Sequence, residues 1–354
     1  MMGDSLDTFM IKSRNGGVMV GYNTSVKVNC NVGANDYPLY IKEIEKLNTI
    51  QSSSIWPDMF MDLSLYQGAT PLYKEIMNRF GGPVGVVPSY LLDKYKINKD
   101  SAKDILKRLA DDGISFFTLH LTANLSLLNI AKYRKIAVTS RGGAILLSLM
   151  RQMRQERNIW IEILPTIIDI VKSYDIVISI GATFRPASVI DACDIVHLEE
   201  TKRQIEICTM LQREGIKTIV ENVGHIDIGK ISKLSKYLLQ CHAPIMPLGP
   251  ITTDCGIGMD QITAAIGASH MGALNCAHII NCVTSSEHTN PYFTTKETLD
   301  AIKTARLCAH IINISKGYDL SNDYNIYKER AKLSSCCLNN TCKRCSEYCP
   351  LTLI

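Results

Sequence analysis

Long apolar runs are absent from this sequence. No stretch reaches the ~20 uninterrupted apolar residues that a membrane-spanning helix requires. The segment 1–21 is interrupted by Asp4, Asp7 and Lys12, which does not fit the apolar core of a secretory signal. We therefore expect a cytoplasmic protein without a membrane span.

A strong excess of one charge is also absent. The 38 Lys and Arg residues and 34 Asp and Glu residues leave a net charge of +4, with no long basic run. This balance argues against nucleic acid as a partner and leaves an anionic small molecule open. With 46% hydrophobic and 20% charged residues, the chain can bury a sizeable core.

The dinucleotide fingerprint GxGxxG does not follow the first apolar run, which argues against the alternative of a doubly wound sheet. Instead, short β-rich runs alternate with helical patterns, as in parallel β/α architecture. We predict a (βα)8 TIM-type barrel over 26–317, with an N-terminal extension at 1–25 and a helix plus cysteine-rich tail at 318–354. The predicted strands are Val26–Val32, Phe60–Leu63, Val84–Val87, Phe116–Leu121, Ile136–Val138, Ile176–Ile180, Thr218–Val220, Ile245–Leu248 and Ile279–Val283, and the predicted helices include Ser101–Asp112, Asn158–Ser173, Val189–Glu214, Ile228–Gln240 and Lys296–Ser315.

Polar or ionisable residues follow almost every predicted strand. Barrel enzymes place their active sites at the carboxyl ends of the strands. Any one such residue is more often structural, but their recurrence at equivalent places predicts a site at this face. They are Asn31, Asp62, Ser64, Tyr90, His120, Ser140, Arg141, Arg185, Glu221, His225, Thr252, Thr253, Asp254, Glu287 and His288.

The segment Ser140-Arg141-Gly142-Gly143 opens a predicted helix. Two glycines let the backbone approach a ligand closely, and helix-start amides with an arginine suit a phosphate. The alternative is an ordinary turn with a surface arginine.

Two histidines on neighbouring loops form a second candidate. His225 and His288 each follow a predicted strand, and two such imidazoles can bind one divalent metal with water or substrate completing the shell. The alternative is two hydrogen-bonded loop histidines, which a chain with eight histidines offers easily by chance.

Five of the 13 cysteines crowd into 336–349. Cys342, Cys345 and Cys349 have the spacing CxxCxxxC followed by proline, which suits an iron–sulfur cluster with one open iron. A structural zinc site completed by Cys336 or Cys337 is the alternative. Disulfides are less expected in a cytoplasmic protein.

Read in order, these stretches resemble the phosphomethylpyrimidine synthase family of radical S-adenosylmethionine (SAM) lyases. The resemblance extends from about Val26 to Gly317 and resumes in the tail. The matching stretches are Lys27–Gly33, Met61–Ser64, Gly85–Tyr90, Phe117–His120, Ser140–Gly143, Arg185-Pro186, Glu221, Gly224-His225, Leu248–Asp254 and Glu287-His288.

The resemblance implies a homodimeric barrel in which the tail of one subunit reaches the barrel of the other. It also implies 5-aminoimidazole ribotide (AIR) as substrate, SAM and a [4Fe–4S] cluster on Cys342, Cys345 and Cys349, and an electron donor such as flavodoxin or ferredoxin. A zinc or iron ion would lie on His225 and His288, and Glu221 with His120 would act near the imidazole or ribose. The implied substrate contacts are Asn31, Met61, Tyr90, His120, Ser140, Arg141, Gly142, Arg185 and Glu221.

Some positions depart from the family pattern. Gly181–Ala187 has Ala182 where the family has an aspartate, Met246 replaces a tyrosine, and the segment before the tail cysteines is shorter. Each lost polar contact would cost roughly 1–3 kcal/mol in an otherwise unchanged pocket. We therefore expect the paralogous 5-hydroxybenzimidazole synthase of cobamide biosynthesis. The alternatives are the thiamine pyrimidine enzyme, a non-catalytic partner subunit, and a barrel hydrolase with structural zinc.

Overall fold

Eight parallel strands form the centre of the protein. The computed structural model describes residues 6–92, 97–318, 320–332, 336, 338 and 342–353. Two units divide the chain, Met1–Ile312 and Asn313–Ile354. The strands of the first unit are β1 (Thr8–Ser13), β2 (Gly16–Gly21), β3 (Lys27–Val32), β4 (Met59–Asp62), β5 (Val84–Val86), β6 (Phe116–Leu119), β7 (Val177–Ile180), β8 (Thr218–His225), β9 (Ile245–Ile251) and β10 (Ile279–Asn281).

The strand order is β10-β3-β4-β5-β6-β7-β8-β9, and every neighbouring pair is parallel. The two end strands meet at His278, whose backbone N–H donates to the Ile245 carbonyl at 2.9 Å. The Ile245 N–H in turn donates to His278 Nδ1 at 2.9 Å. These bonds bring the sheet edges together, so the predicted TIM-type barrel is confirmed.

Helices surround the barrel because each has one apolar face. In α3, the buried residues Ala102, Leu106, Leu109 and Ala110 recur at helical spacing. The helices of the described residues are α1 (Tyr37–Ser52), α2 (Leu72–Phe80), α3 (Lys99–Asp111), α4 (Leu125–Ala131), α5 (Arg141–Met153), α6 (Ile159–Glu162), α7 (Leu164–Tyr174), α8 (Ile195–Arg213), α9 (Ile228–Leu238), α10 (Asp260–Ala273), α11 (Thr295–Ser315) and α12 (Ser321–Lys332).

The antiparallel hairpin of β1 and β2 lies in the segment predicted only as an N-terminal extension. Phe9, Ile11 and Val20 are fully buried. They pack with residues that begin the barrel strands, among them Phe116 and Val177. The hairpin therefore fills the amino-terminal mouth of the barrel and leaves the carboxyl ends of the strands as the open face.

One predicted strand is wrong. Ile136–Val138 has no ladder partner and lies in the loop between α4 and α5, with Ile136 more than half exposed. A three-residue β-rich run without a neighbouring edge does not form a strand, because strand stability comes from cross-strand pairing. Ser140 and Arg141 therefore follow a loop, not a strand.

Two predicted helices are interrupted. The pattern over Asn158–Ser173 breaks at Ile163, which has a non-helical backbone, because Pro165 disfavours a continuous helix through the preceding turn. The pattern over Val189–Glu214 begins as a 3-10 turn at Val189–Asp191, and α8 starts only after Asp194 caps it through the His197 N–H at 2.8 Å.

The second unit contains α12 and two 3-10 turns, Ser346–Tyr348 and Pro350–Leu353. None of the α12 side chains is buried. The division at residue 312 lies inside α11, and the predicted borders at 25 and 317 remain predictions. Among the described helices, none carries an apolar stretch of the length that crossing a bilayer demands.

Candidate functional site at the carboxyl ends of the strands

A buried carboxyl group lies inside the barrel on β8. Glu221 accepts hydrogen bonds from the hydroxyls of Thr118 at 2.7 Å and Ser179 at 2.6 Å. The Thr118 hydroxyl also lies 3.9 Å from Met61 Sδ. Burial raises the pKa of Glu221, opposed by these hydroxyls and by Arg185. A carboxyl with a raised pKa is suited to accept and return a proton.

A neutral imidazole lies beside the start of α5. Ser140 Oγ is 2.5 Å from His120 Nε2 and accepts the Gly143 N–H at 3.1 Å. Burial, and then the charge of Arg185, lowers the pKa of His120 to about 3. An added Cβ at Gly142 or Gly181 would stand 2.5 Å or 3.0 Å from the ring. The glycines thus admit the imidazole, whose Nδ1 has no partner among the described residues.

Arg141 is the first residue of α5 and is exposed. Its guanidinium lies 4.4 Å from the centre of the Tyr90 ring. It donates to Asn35 Oδ1 at 3.1 Å and to the Leu63 carbonyl at 3.3 Å. The stacking on Tyr90 fixes the plane of the guanidinium and leaves further donors for an anion.

A second arginine is held by the loop after β7. Glu200 of α8 accepts the N–H groups of Thr183 at 2.6 Å and Phe184 at 2.7 Å. Arg185 follows this turn and donates to the Ala182 carbonyl at 3.0 Å. Burial lowers the pKa of Arg185, and the carboxylate of Glu221 is the first of the charges that oppose it. Sequence reasoning missed Glu200, because a lone glutamate within a helix carries no motif.

Two histidines meet at the rim. His225 Nε2 lies 3.1 Å from His288 Nε2. Each Nδ1 contacts a carboxylate, Asp254 at 2.7 Å for His225 and Asp260 at 3.0 Å for His288. Burial lowers the pKa of His225, and Asp254 opposes this.

Carboxylates on the outer nitrogens and converging inner nitrogens are the usual surroundings of metal-binding histidines. The donor set therefore fits a divalent metal with two protein ligands. Within the described part of the chain, no three His, Cys, Asp or Glu side chains group as a metal site. Asp254 was among the residues expected at strand ends. Asp260 was missed, since it begins α10 away from any strand.

A cavity of about 500 Å³ opens between these groups, lined among others by Asn31, Arg185, His225, Glu287 and His288. A neighbouring cavity of about 330 Å³ shares Asn31 and Glu287 and reaches Arg141. Asn31 Oδ1 accepts from Asn29 Nδ2 at 2.8 Å. Several residues predicted for the barrel site thus line two neighbouring cavities whose size suits a polar small molecule, namely Asn31, Arg141, Arg185, His225, Glu287 and His288.

The two unusual positions are both fully buried. Ala182 and Met246 each have no exposed surface. Met246 pairs with Glu221 in the strand ladder and packs in the apolar cluster that contains Met61 and Phe116. Neither side chain offers a hydrogen bond to a ligand.

The tail cysteines lie in the second unit. Cys342 and Cys345 are exposed and Cys349 is half-buried. The 3-10 turn Ser346–Tyr348 separates Cys345 from Cys349. Cys336 is exposed, and Cys337 lies outside the described residues. Three accessible thiols at this spacing fit the chemistry of an iron–sulfur cluster.

Comparison with known proteins gives consistent names. The model of the radical SAM ThiC family matches residues 8–342. Phosphomethylpyrimidine synthase of Thermoanaerobacter sp. (strain X514) is 31% identical over 330 residues, which is 88% of this chain and 74% of that protein. The enzyme of the same name from Carboxydothermus hydrogenoformans is 31% identical over 284 residues, 76% of this chain and 65% of its own length.

Solved structures are similar only at a distance. A Xanthomonas albilineans dihydropteroate synthase is 10% identical, with 84% of this chain and 97% of that chain covered and a TM-score of 0.44. A type I 3-dehydroquinate dehydratase from Clostridium difficile is 9% identical, with 86% and 100% covered and a TM-score of 0.48. These values are too low to bear on function.

Proposed function

The chain belongs to the radical SAM ThiC family, and on that premise we propose that it rearranges AIR to hydroxymethylpyrimidine phosphate, the reaction of a phosphomethylpyrimidine synthase. The name of the similar curated enzymes supports this product. The observation that carries the assignment of the site is the meeting of His120 with Ser140 at 2.5 Å at the start of α5, because it joins the amino terminus of a helix to an imidazole that directly follows β6.

The start of α5 is the proposed phosphate site. The amides of the first turn and the guanidinium of Arg141 would receive the phosphate, since helix amino termini favour anions. Arg185 supplies a second cation near His120, whose pKa its charge helps to lower. Glu221 below them would take up and return a proton beside the imidazole or ribose. Asn31, Met61 and Tyr90 would shape the walls of the pocket.

The family implies a [4Fe–4S] cluster and SAM. When bound, they supply the one-electron chemistry that starts the rearrangement. Cys342, Cys345 and Cys349 would hold the cluster, and His225 with His288 would hold a zinc or iron ion. The protein's own contribution is to bind AIR, orient it and exclude water.

A second product is favoured by Ala182 and Met246. The preference from sequence for 5-hydroxybenzimidazole has no support from the names of the relatives. The two substitutions nevertheless remove a carboxylate and a phenol, so that a reacting fragment would be held by fewer hydrogen bonds. Fewer restraints would allow ring closure onto the imidazole carbons, as a benzimidazole requires.

Membership of a radical SAM family argues against the barrel hydrolase, and the retained site residues argue against a non-catalytic subunit. We further propose a cytoplasmic homodimer that receives electrons from a flavodoxin or ferredoxin.

The test is anaerobic incubation of the reconstituted protein with AIR, SAM and a reductant, followed by mass spectrometry. Hydroxymethylpyrimidine phosphate supports the main proposal, and rescue of a thiamine pyrimidine auxotroph would agree with it. Formation of 5-hydroxybenzimidazole without the pyrimidine replaces it with the second product. SAM cleavage without either product would contradict AIR as the substrate.

A further inference from the structure

The face of α8 that meets the sheet is polar. His197, Glu200, Thr201 and Gln204 recur on one side of the helix, and all four are fully buried. A barrel helix normally packs apolar residues there, because a buried polar group costs free energy unless it is paired. The hydrogen-bond partners of these four side chains therefore indicate why the face is polar.

Three of them converge on Asn222 of β8. Asn222 Oδ1 contacts His197 Nε2 at 2.9 Å, and its Nδ2 donates to Thr201 Oγ1 at 3.1 Å and Gln204 Oε1 at 2.6 Å. Asn222 Oδ1 also accepts the Val223 N–H at 2.5 Å. The side chain of Asn222 is thus fully hydrogen-bonded and has one orientation.

The neighbouring groups define the direction of these bonds. His197 Nδ1 accepts the Cys193 N–H at 3.2 Å, so a neutral His197 carries its proton on Nε2 and donates to Asn222. Gln204 Nε2 donates to the carbonyls of Glu221 at 2.5 Å and Ile180 at 3.2 Å. The network therefore hydrogen-bonds α8 to β8 through the backbone of Glu221 and the side chain of Asn222.

The backbone that follows is strained. Val223 has φ +92° and Gly224 has φ +84°. A β-branched residue rarely adopts positive φ and does so only where its surroundings enforce it. The ladder with β9 is irregular here, since Val223 pairs with Leu248 and His225 with Ile251. Immediately after this turn, the His225 N–H donates to the Pro186 carbonyl at 3.0 Å.

From this geometry we propose that Asn222 is a positioning residue for His225. Its contact with the Val223 N–H, oriented by His197, holds the strained turn that aims His225 at Asp254 and His288. The inference rests on the proposed metal site. It adds a positioning role for Asn222, a residue that belongs to no motif in the tail or at the rim. Glu200 performs the parallel task for the loop of Arg185 and serves as a matched comparison.

The experiment measures Co²⁺ and Zn²⁺ binding by competition with a chromophoric chelator, using the full-length protein with its iron–sulfur cluster reconstituted, so that the tail thiols do not bind the added metal. Asn222→Leu keeps the side-chain volume and removes all four hydrogen bonds. We expect metal affinity to fall ~10-fold, the lower end of the effect of losing a direct partner of a metal ligand, because Asn222 acts on His225 through the backbone of Val223. Asn222→Asp keeps the acceptors for Val223 and His197, so it should bind metal more tightly than Asn222→Leu.

Two controls separate positioning from general loosening. Glu200→Gln disturbs the same face of α8 but should leave metal affinity unchanged, while AIR binding weakens. If Asn222→Leu fails to fold, His197→Phe leaves Asn222 in place but removes its donor, together with the acceptor of the Cys193 N–H, and should still weaken metal binding.

Equal metal affinity in wild type and Asn222→Leu would overturn the proposal, as would an equal loss in Glu200→Gln. If His225→Ala binds metal as tightly as wild type, the metal site itself is wrong, and the inference is withdrawn with it.

Discussion

The barrel and the tail present their candidate ligands differently. In the barrel unit, Glu221, His120 and His225 are held by hydrogen bonds from other strands and loops. In the tail unit, Cys342 and Cys345 are exposed, and α12 buries no side chain. The barrel site is therefore shaped by the folding of the protein itself. The tail needs an added group to make its thiols into a site, as small metal-binding segments do.

Substitutions of the tail cysteines should have the strongest effect on turnover and none on the stability of the barrel. Cys342→Ala, Cys345→Ala or Cys349→Ala should each abolish the cluster absorbance and all turnover, because a cluster that leaves one iron open needs all three thiolates. The melting temperature of the barrel should not change. Cys336→Ala and Cys337→Ala are the controls and should keep the cluster. A cluster that requires Cys337 but survives loss of Cys349 would move the assignment to Cys337, Cys342 and Cys345.

Glu221→Gln tests the proton-transfer role of the buried carboxyl group in the barrel. The amide retains the hydrogen bonds from Thr118 and Ser179 but cannot take up a proton. We expect turnover to fall ~10²–10⁴-fold, the usual worth of a general acid or base, with the cluster absorbance intact. Anaerobic turnover and thermal melting of the same preparation measure both quantities. Turnover near the wild-type rate would return Glu221 to a structural role.

Substitution of Arg141 tests whether the exposed part of the barrel site contributes to the affinity for AIR. Arg141→Ala should weaken AIR binding by about 1.5–3 kcal/mol, the range for a hydrogen bond to a charged group. Arg141→Lys should restore only part of this, because lysine lacks the planar fork. Isothermal titration with AIR gives the affinities, and the cluster and fold should be unaffected. Unchanged affinity would make Arg141 a surface residue that merely stacks on Tyr90.

The last expected effect is a pH dependence of the stability of the barrel. Burial lowers the pKa of His120 to about 3 and that of His197 to about 4. Below the unfolded value of 6.5 these histidines bind a proton only in the unfolded chain, so acidification favours unfolding until pH falls below the folded pKa. Melting temperatures of wild type should therefore fall between pH 6.5 and 4. In His120→Gln or His197→Gln the fall should be shallower, and an identical pH profile would contradict the lowered pKa values.

Much of the barrel site could be predicted from the sequence because its residues follow apolar runs that must become parallel strands. The polar residue after such a run lies at the carboxyl face whatever the helices do. Ser140 and Arg141 were expected there as residues that follow a strand, but the run Ile136–Val138 is a loop and the start of α5 brings Ser140 to His120. The hairpin over Thr8–Gly21 was missed because its burial depends on the barrel mouth that it fills.

The sequence alone determined the barrel, the family, and the cysteine spacing of the tail, because these depend on local periodicity and on residues close together in the chain. The groups that support the site became visible only in the folded chain. Glu200 and Asp260 act on residues that are distant in sequence. Asn222 acts within its own strand but is oriented by side chains of α8, and a single polar residue in a helix or strand carries no local signal of such a partner. The strained turn at Val223 likewise depends on the hydrogen bonds between α8 and β8. A valine by itself disfavours positive φ, and Val223 adopts it here because Asn222, oriented by α8, contacts its N–H.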